Sequence, residues 1–214
     1  MRDYKAEFDK RVAFIRDLLE KSGCDGIVYG NSGGKDSALV GILCKFACEN
    51  TVGILMKAYS SCVGEGPFTC ELFGPEGDAL REAGGEYGAA TGRPRRVGGF
   101  DVVASRYGAK MQGCTYVALT KLDVLSYLEQ IPVCAHYEVD GKVVDCFPVG
   151  GALDRAKPVY EYLPGFRCDI SKCRRPEELP RAALEYIRYL EKQVGCPVKY
   201  VSVGAQREDI IEMF

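Results

Sequence analysis

The chain has 214 residues, is 47% hydrophobic and sets 28 Lys and Arg against 30 Asp and Glu, a formal net charge of −2. That length and apolar content can bury a sizeable core, as one large domain or as one domain with a smaller appendage, and the charge balance excludes a global attraction to nucleic acid, which needs clustered basic residues. No apolar stretch approaches the roughly 20 residues of a membrane span, and the charged, helix-patterned start MRDYKAEFDK is unlike a signal peptide, so a cytoplasmic protein is expected.

Phe8, Val12, Ile15 and Leu19 recur at helical spacing, and Ser22-Gly23 stops the helix they predict. Asp25 to Tyr29 reads as a buried strand, Gly30 to Lys35 as a turn, Asp36 to Cys48 as a helix and Thr51 to Met56 as a second strand. Together they predict a β-α-β unit on a parallel sheet. The connecting loop runs Gly30, Asn31, Ser32, Gly33, Gly34, Lys35, Asp36, Ser37. Its consecutive backbone N–H groups can form a concave nest for phosphate, and the following helix adds its positive end. Ser32 and Ser37 can donate hydroxyl hydrogen bonds, and Asp36 can hold Mg²⁺ against the phosphates. The plainer alternative is a glycine turn that only reverses the chain.

Past Lys57 glycine becomes frequent, from Gly64 to Gly99, and long loops are expected to replace the tight alternation. Tyr116 to Leu119 reads as a strand ending in Thr120-Lys121-Leu122-Asp123. Val133 to Val139 and Lys142 to Phe147 flank Asp140-Gly141, a two-residue hairpin signal, since both turn positions need positive φ. Ala183, Ile187, Leu190 and Val194 predict a helix closed by Gly195, and Val198 to Val203 a last strand opening into Gly204. The fold class expected is α/β, a mainly parallel sheet with helices and a nucleotide-binding architecture of the P-loop kind. The eleven cysteines are scattered without a C-x-x-C pair, which predicts reduced, buried thiols and no zinc site. His136, the one histidine, sits in a strand with no nucleophile motif beside it and reads as structural.

Two resemblances divide the chain. S-G-G-x-D-S between a strand and a helix resembles the pyrophosphate loop of the ATP pyrophosphatases, and Lys5 to Met56 resembles the opening of ammonia-dependent NAD synthetase. That resemblance implies ATP phosphates on Gly30 to Ser37, a metal at Asp36, and a first segment of residues 1–56. From residue 57 to 214, the series KAYSSCVGEGPFTCELFG, EYGAATGRPRRVGGFD, ALTKLDVLS, PGFRCDISKCR and VSVGAQRE resembles the C-terminal part of adenylosuccinate synthetase.

The second resemblance implies a purine-biosynthetic ligase, typically a homodimer, that joins IMP to L-aspartate with GTP and Mg²⁺. Lys121, Leu122 and Asp123 resemble the guanine-selecting segment of GTP-binding proteins. One carboxylate there can accept from the guanine N1–H and exocyclic amine, and adenine would leave it unpaired. Ser202, Val203 and Gly204 match the family's second guanine-contacting segment. Ala89, Ala90, Thr91, Gly92, Arg93, Pro94 and Arg95 match the aspartate-binding loop, with Arg93 also reaching IMP and Arg95 the GTP side. Guanidinium forks suit a site holding carboxylates and phosphates. Arg96 has no assigned role. The family's opening glycine-rich loop, with its catalytic aspartate and following histidine, has no counterpart in the sequence, so no catalytic residue is assigned. Three readings stay open: a family member retaining GTP and aspartate contacts, an ATP pyrophosphatase relative working through the front loop, and a non-catalytic fusion. Small-molecule nucleotides and L-aspartate are the expected partners, with no nucleic acid and no membrane.

Overall fold

A five-stranded sheet carries the site, with strands in the order β1 (Ile27–Tyr29), β2 (Val52–Lys57), β6 (Tyr116–Thr120), β10 (Val198–Ser202) and β11 (Ile210–Glu212). The computed structural model describes residues 3–23, 27–29, 39, 43–44, 46–47 and 52–214. The first four strands are parallel and β11 is antiparallel, which bears out a mainly parallel α/β architecture. Such sheets are covered by helices, so their strands are apolar. Ile54, Val117, Leu119 and Val201 are buried accordingly, and the helix Arg181–Val194 lays Ala183, Tyr186, Ile187, Leu190 and Val194 into the core. Gly195 closes that helix at φ +76°.

The predicted N-terminal helix runs Tyr4–Ser22, capped by the Asp3 side chain and ended by Gly23 at φ +64°. Its Val12 packs on Leu43 and Ala47, and Arg16 donates to the carbonyls of Phe46 and Ala47. Residues 39, 43–44 and 46–47 are helical, as expected for the connection between β1 and β2. The strand β2 lies across the junction read near Met56 and pairs with β6 from Gly53↔Tyr116 to Lys57↔Thr120.

A second sheet joins β5 (Phe100–Asp101), β7 (Gln130–Val139), β8 (Lys142–Val144) and β9 (Lys157–Pro164). The turn between β7 and β8 has Asp140 at φ +51° and Gly141 at +77°, as the hairpin signal requires. The main departure from expectation is the glycine-rich stretch, which is not a run of long loops. It forms β3 (Ser60–Cys62), the helix Gly74–Gly84, β4 (Arg96–Gly98) and the helix Val102–Gln112. Gly85 and Gly113 end the two helices in the left-handed conformation, while Gly98 packs so closely on Cys70 that a Cβ would come within 1.9 Å of its carbonyl oxygen. These glycines serve helix ends and close strand packing. The strand β9 is a further departure from expectation: Val159, Tyr160 and Leu163 are half-buried while Tyr162 is exposed, so no clean two-residue alternation marks it.

None of the described cysteines forms a disulfide, and Cys114 and Cys196 face each other as thiols, Sγ to Sγ 3.1 Å. Cys44, Cys70, Cys134 and Cys196 are buried as expected, whereas Cys146 and Cys168 are exposed. Among the described residues no helix is long and apolar enough to cross a membrane.

Candidate functional site

Parallel strands end at one edge, and loops leaving that edge converge. Leu119 on β6 stands in register with Val201 on β10, so Lys121 to Asp123 leave the sheet beside Ser202 to Gly204. Lys121 takes a left-handed backbone at φ +61°, uncommon for a residue with a side chain, and starts the 3-10 helix Leu122–Tyr127 that carries Asp123. Leu122 is fully buried and anchors that turn. Ala58 N–H donates to the Thr120 carbonyl and Thr120 Oγ1 to the Met56 carbonyl, which ties the same edge to β2.

Asp123 is half-buried, and its Oδ1 is a buried side-chain oxygen without a hydrogen-bond partner among the described residues. Burial pushes its carboxyl above the usual range against its own backbone N–H and Lys121, and the nearby Asp209 and Asp169 push the same way. A carboxylate so placed gains from any donor that reaches it. Gly204 lies against Asp209, whose Oδ2 a Cβ at that glycine would meet at 2.3 Å. Asp209 is held by Arg174 at 2.8 Å and by the Gln206 backbone N–H at 2.8 Å, and Ser202 Oγ donates to the Gly204 carbonyl.

The other half of the site centres on a residue to which the sequence assigned nothing. Glu86 is fully buried. Its Oε1 accepts from Lys57 Nζ at 2.7 Å, the Tyr59 hydroxyl at 2.6 Å and Lys121 Nζ at 2.9 Å, and its Oε2 accepts from Arg95 Nη1 at 3.1 Å. Lys121 Nζ also donates to the Gly84 carbonyl. Arg95 and Lys121, predicted separately, are thus joined through one carboxylate. Glu86 and Lys57 stand inside the quoted EYGAATGR and KAYSS stretches; the only signal was an acidic residue amid glycine and alanine.

Arg93 is not part of this cluster. Residues 89–94 form an exposed loop closed at its base by Gly88 N–H to the Arg93 carbonyl and Arg95 N–H to the Glu86 carbonyl, with Gly92 at φ +64°. The exposed Arg93 side chain meets Glu65 at 3.5 Å. Arg96 points elsewhere: Nε and Nη2 both donate to Glu71 Oε2, and Nη1 donates to the carbonyls of Gly64 and Gly66, so it fastens the loop before the helix Gly74–Gly84. His136 lies on β7 opposite Val159, with Nδ1 buried. Gly30 to Ser37, including Asp36, lie outside the described residues. Among the described residues no cluster of three His, Cys, Asp or Glu could hold a metal ion. An apolar cavity of about 250 Å³ between the helix Gly74–Gly84 and the start of β7, lined by Leu72, Leu80, Tyr127 and Pro132, contains none of the predicted residues.

Burial would raise the Glu86 carboxyl, but hydrogen bonds from Lys57, Tyr59 and Lys121 outweigh it and hold it at about 2, below the ordinary 4.5. A depressed carboxyl pKa contributes stability above the unfolded value and loses it as pH falls through the folded one. The urea midpoint is therefore expected to drop between pH 4.5 and 2. That drop should shrink in Glu86→Gln, an arm that subtracts the opposite contribution of Asp101, whose carboxyl burial pushes up. An identical acid profile in both proteins would refute the assignment.

The family model described as adenylosuccinate synthetase matches residues 32–211, beginning inside the glycine loop and upstream of the junction read near Met56. A curated adenylosuccinate synthetase of Pelobacter propionicus is 49% identical over 158 residues, 73% of this chain and 37% of the relative. That of Streptomyces coelicolor is 49% identical over 166 residues, 77% of this chain and 39% of the relative. The solved structure of fully ligated adenylosuccinate synthetase from Plasmodium falciparum superposes with a TM-score of 0.71 at 38% identity, covering 75% of this chain and 40% of that one. The chain thus spans less than half the length of these relatives.

Proposed function

The chain belongs to the adenylosuccinate synthetase family, and from that premise we propose that it carries the guanine- and aspartate-recognising part of a ligase joining IMP to L-aspartate with GTP. Asp123 accepts from the guanine ring, Lys121 lays its aliphatic stem along the base, and Ser202, Val203 and Gly204 line the other side. The loop from Ala89 through Ala90, Thr91, Gly92, Arg93 and Pro94 to Arg95 binds aspartate, with Arg93 reaching IMP and Arg95 the GTP side. In this scheme GTP phosphorylates the IMP oxygen and the aspartate amine displaces phosphate. The residues named here bind and orient; none is assigned as the base.

One observation carries the guanine reading: a buried Asp123 oxygen without a partner among the described residues, at the strand ends where Lys121 to Asp123 and Ser202 to Gly204 leave the sheet. Guanine offers two donors to such a carboxylate, and adenine offers none in that pattern. The family's Mg²⁺, when bound, would neutralise charge on the GTP phosphates. Asp36, the metal ligand proposed for the front ATP loop, lies outside the described residues. The separate proposal, that Gly30 to Ser37 and Asp36 form an ATP phosphate loop on a segment of residues 1–56, is supported by the parallel pairing of β1 with β2 across a helical connection.

Nucleotide preference tests both. GTP at about 100 times its Kd should stabilise by about 2.7 kcal/mol, raising the melting temperature by roughly 5–10 °C for a chain this size, with a much smaller shift from ATP. An ATP-only response abolished by Asp36→Ala would instead support the front loop, and equal responses would remove the guanine reading.

A further inference from the structure

Glu86 has no packing reason to be charged. A buried carboxylate loses its hydration, and a buried ion pair seldom stabilises a fold more than an apolar residue of the same size would. Here one negative charge faces three positive ones, Lys57, Arg95 and Lys121. The surplus is turned outward, because the three cationic side chains keep 27%, 35% and 36% of their exposure while Glu86 keeps none. Arg95 spends a single side-chain N–H on Glu86, and Lys121 two of its three on Glu86 and Gly84.

We propose that Glu86 is the positioning residue of the nucleotide site, fixing Lys121 and Arg95 as one unit so that Asp123 meets the guanine ring in a set orientation. The proposal rests on the guanine reading of Asp123. Three observations support it. Lys121 is a long, rotamer-rich side chain whose end is held at two points, and its left-handed backbone sets the direction of the turn bearing Asp123. Arg95 at the base of the loop shares the same carboxylate, which links the two predicted binding segments across the sheet edge. Tyr59, itself buried, donates to Glu86 Oε1 from below and keeps that oxygen in place. Without Glu86 the two cations repel each other, and both can swing to solvent.

The test compares wild type, Glu86→Gln and Tyr59→Phe. Gln keeps the shape and removes the charge, and Phe deletes one donor to Oε1 while keeping the ring in the core. Kd values for fluorescent GTP and ATP analogues are measured beside the melting temperature, and the reactivity of the Lys121 amine is followed by reductive methylation without nucleotide. Glu86→Gln is expected to weaken GTP at least tenfold, change ATP by less than twofold, stay folded, and make Lys121 methylate faster; Tyr59→Phe should fall between. A folded Glu86→Gln protein that binds GTP like wild type, or unchanged Lys121 reactivity, overturns the proposal. So does a loss of both nucleotides in step with the folded fraction, the mark of a merely structural role. A wild type without preference for GTP sinks the guanine reading and the ligand assigned here, while the methylation arm still decides whether Glu86 holds Lys121.

Discussion

Asp123→Ala is expected to abolish the preference for GTP over ATP while leaving the fold intact. Two hydrogen bonds from guanine to a carboxylate are worth about 1.5–3 kcal/mol each, so GTP affinity should fall by roughly 10²- to 10⁴-fold. ATP affinity should hardly change. The stability side of this prediction is the unusual one. Asp123 sits where burial and two neighbouring acids disfavour its charge, and Oδ1 has no partner among the described residues. Removing such a group costs the folded chain little and can even raise its melting temperature, as happens where function is bought with local instability. Titration of both nucleotides against the two proteins, with thermal melts alongside, separates the outcomes. An Ala variant that melts several degrees lower yet keeps its GTP affinity would make Asp123 a structural residue.

The largest stability effect is expected at Glu86→Ala. Removing one partner of a buried charge cluster typically costs about 3–5 kcal/mol, because the remaining charges lose their counterion. Lys57, Arg95 and Lys121 all keep a route to solvent, so a value near the lower end, about 3 kcal/mol, is expected. Tyr59 would be left with a buried hydroxyl and no acceptor, which adds to the loss. Urea unfolding at neutral pH measures it. A change below about 1 kcal/mol, the scale of an exposed ion pair, would show that the cluster does not hold the loop base and the strand edge together.

Much of the scaffold was legible from short-range patterns. The stripe at Ala183, Ile187, Leu190 and Val194 places the last long helix, since side chains three and four apart share one face, and Gly195 ends it in a conformation that suits glycine. Asp140-Gly141 places a hairpin for the same local reason. Local reading failed in the glycine-rich stretch, where the glycines looked like loop markers. Whether a glycine ends a helix, as at Gly85, or lets two strands touch, as at Gly98, depends on what lies against it.

The sequence by itself determined the family of the longer part, the parallel strands and the short segments that carry the candidate binding residues, because hydrophobic period, turn residues and motif order are properties of neighbours along the chain; the family match from residue 32 lies partly within the stretch read as NAD-synthetase-like. Tertiary structure alone decided that Arg95 and Lys121 share one carboxylate, that Arg93 stands apart with Glu65, and that Arg96 serves the loop at Gly64 and Gly66. The partners of Glu86 lie 29, 27, 35 and 9 positions away along the chain. Which charges a buried carboxylate gathers is set by the packing of a sheet edge against a helix end, and no spacing in the sequence encodes it.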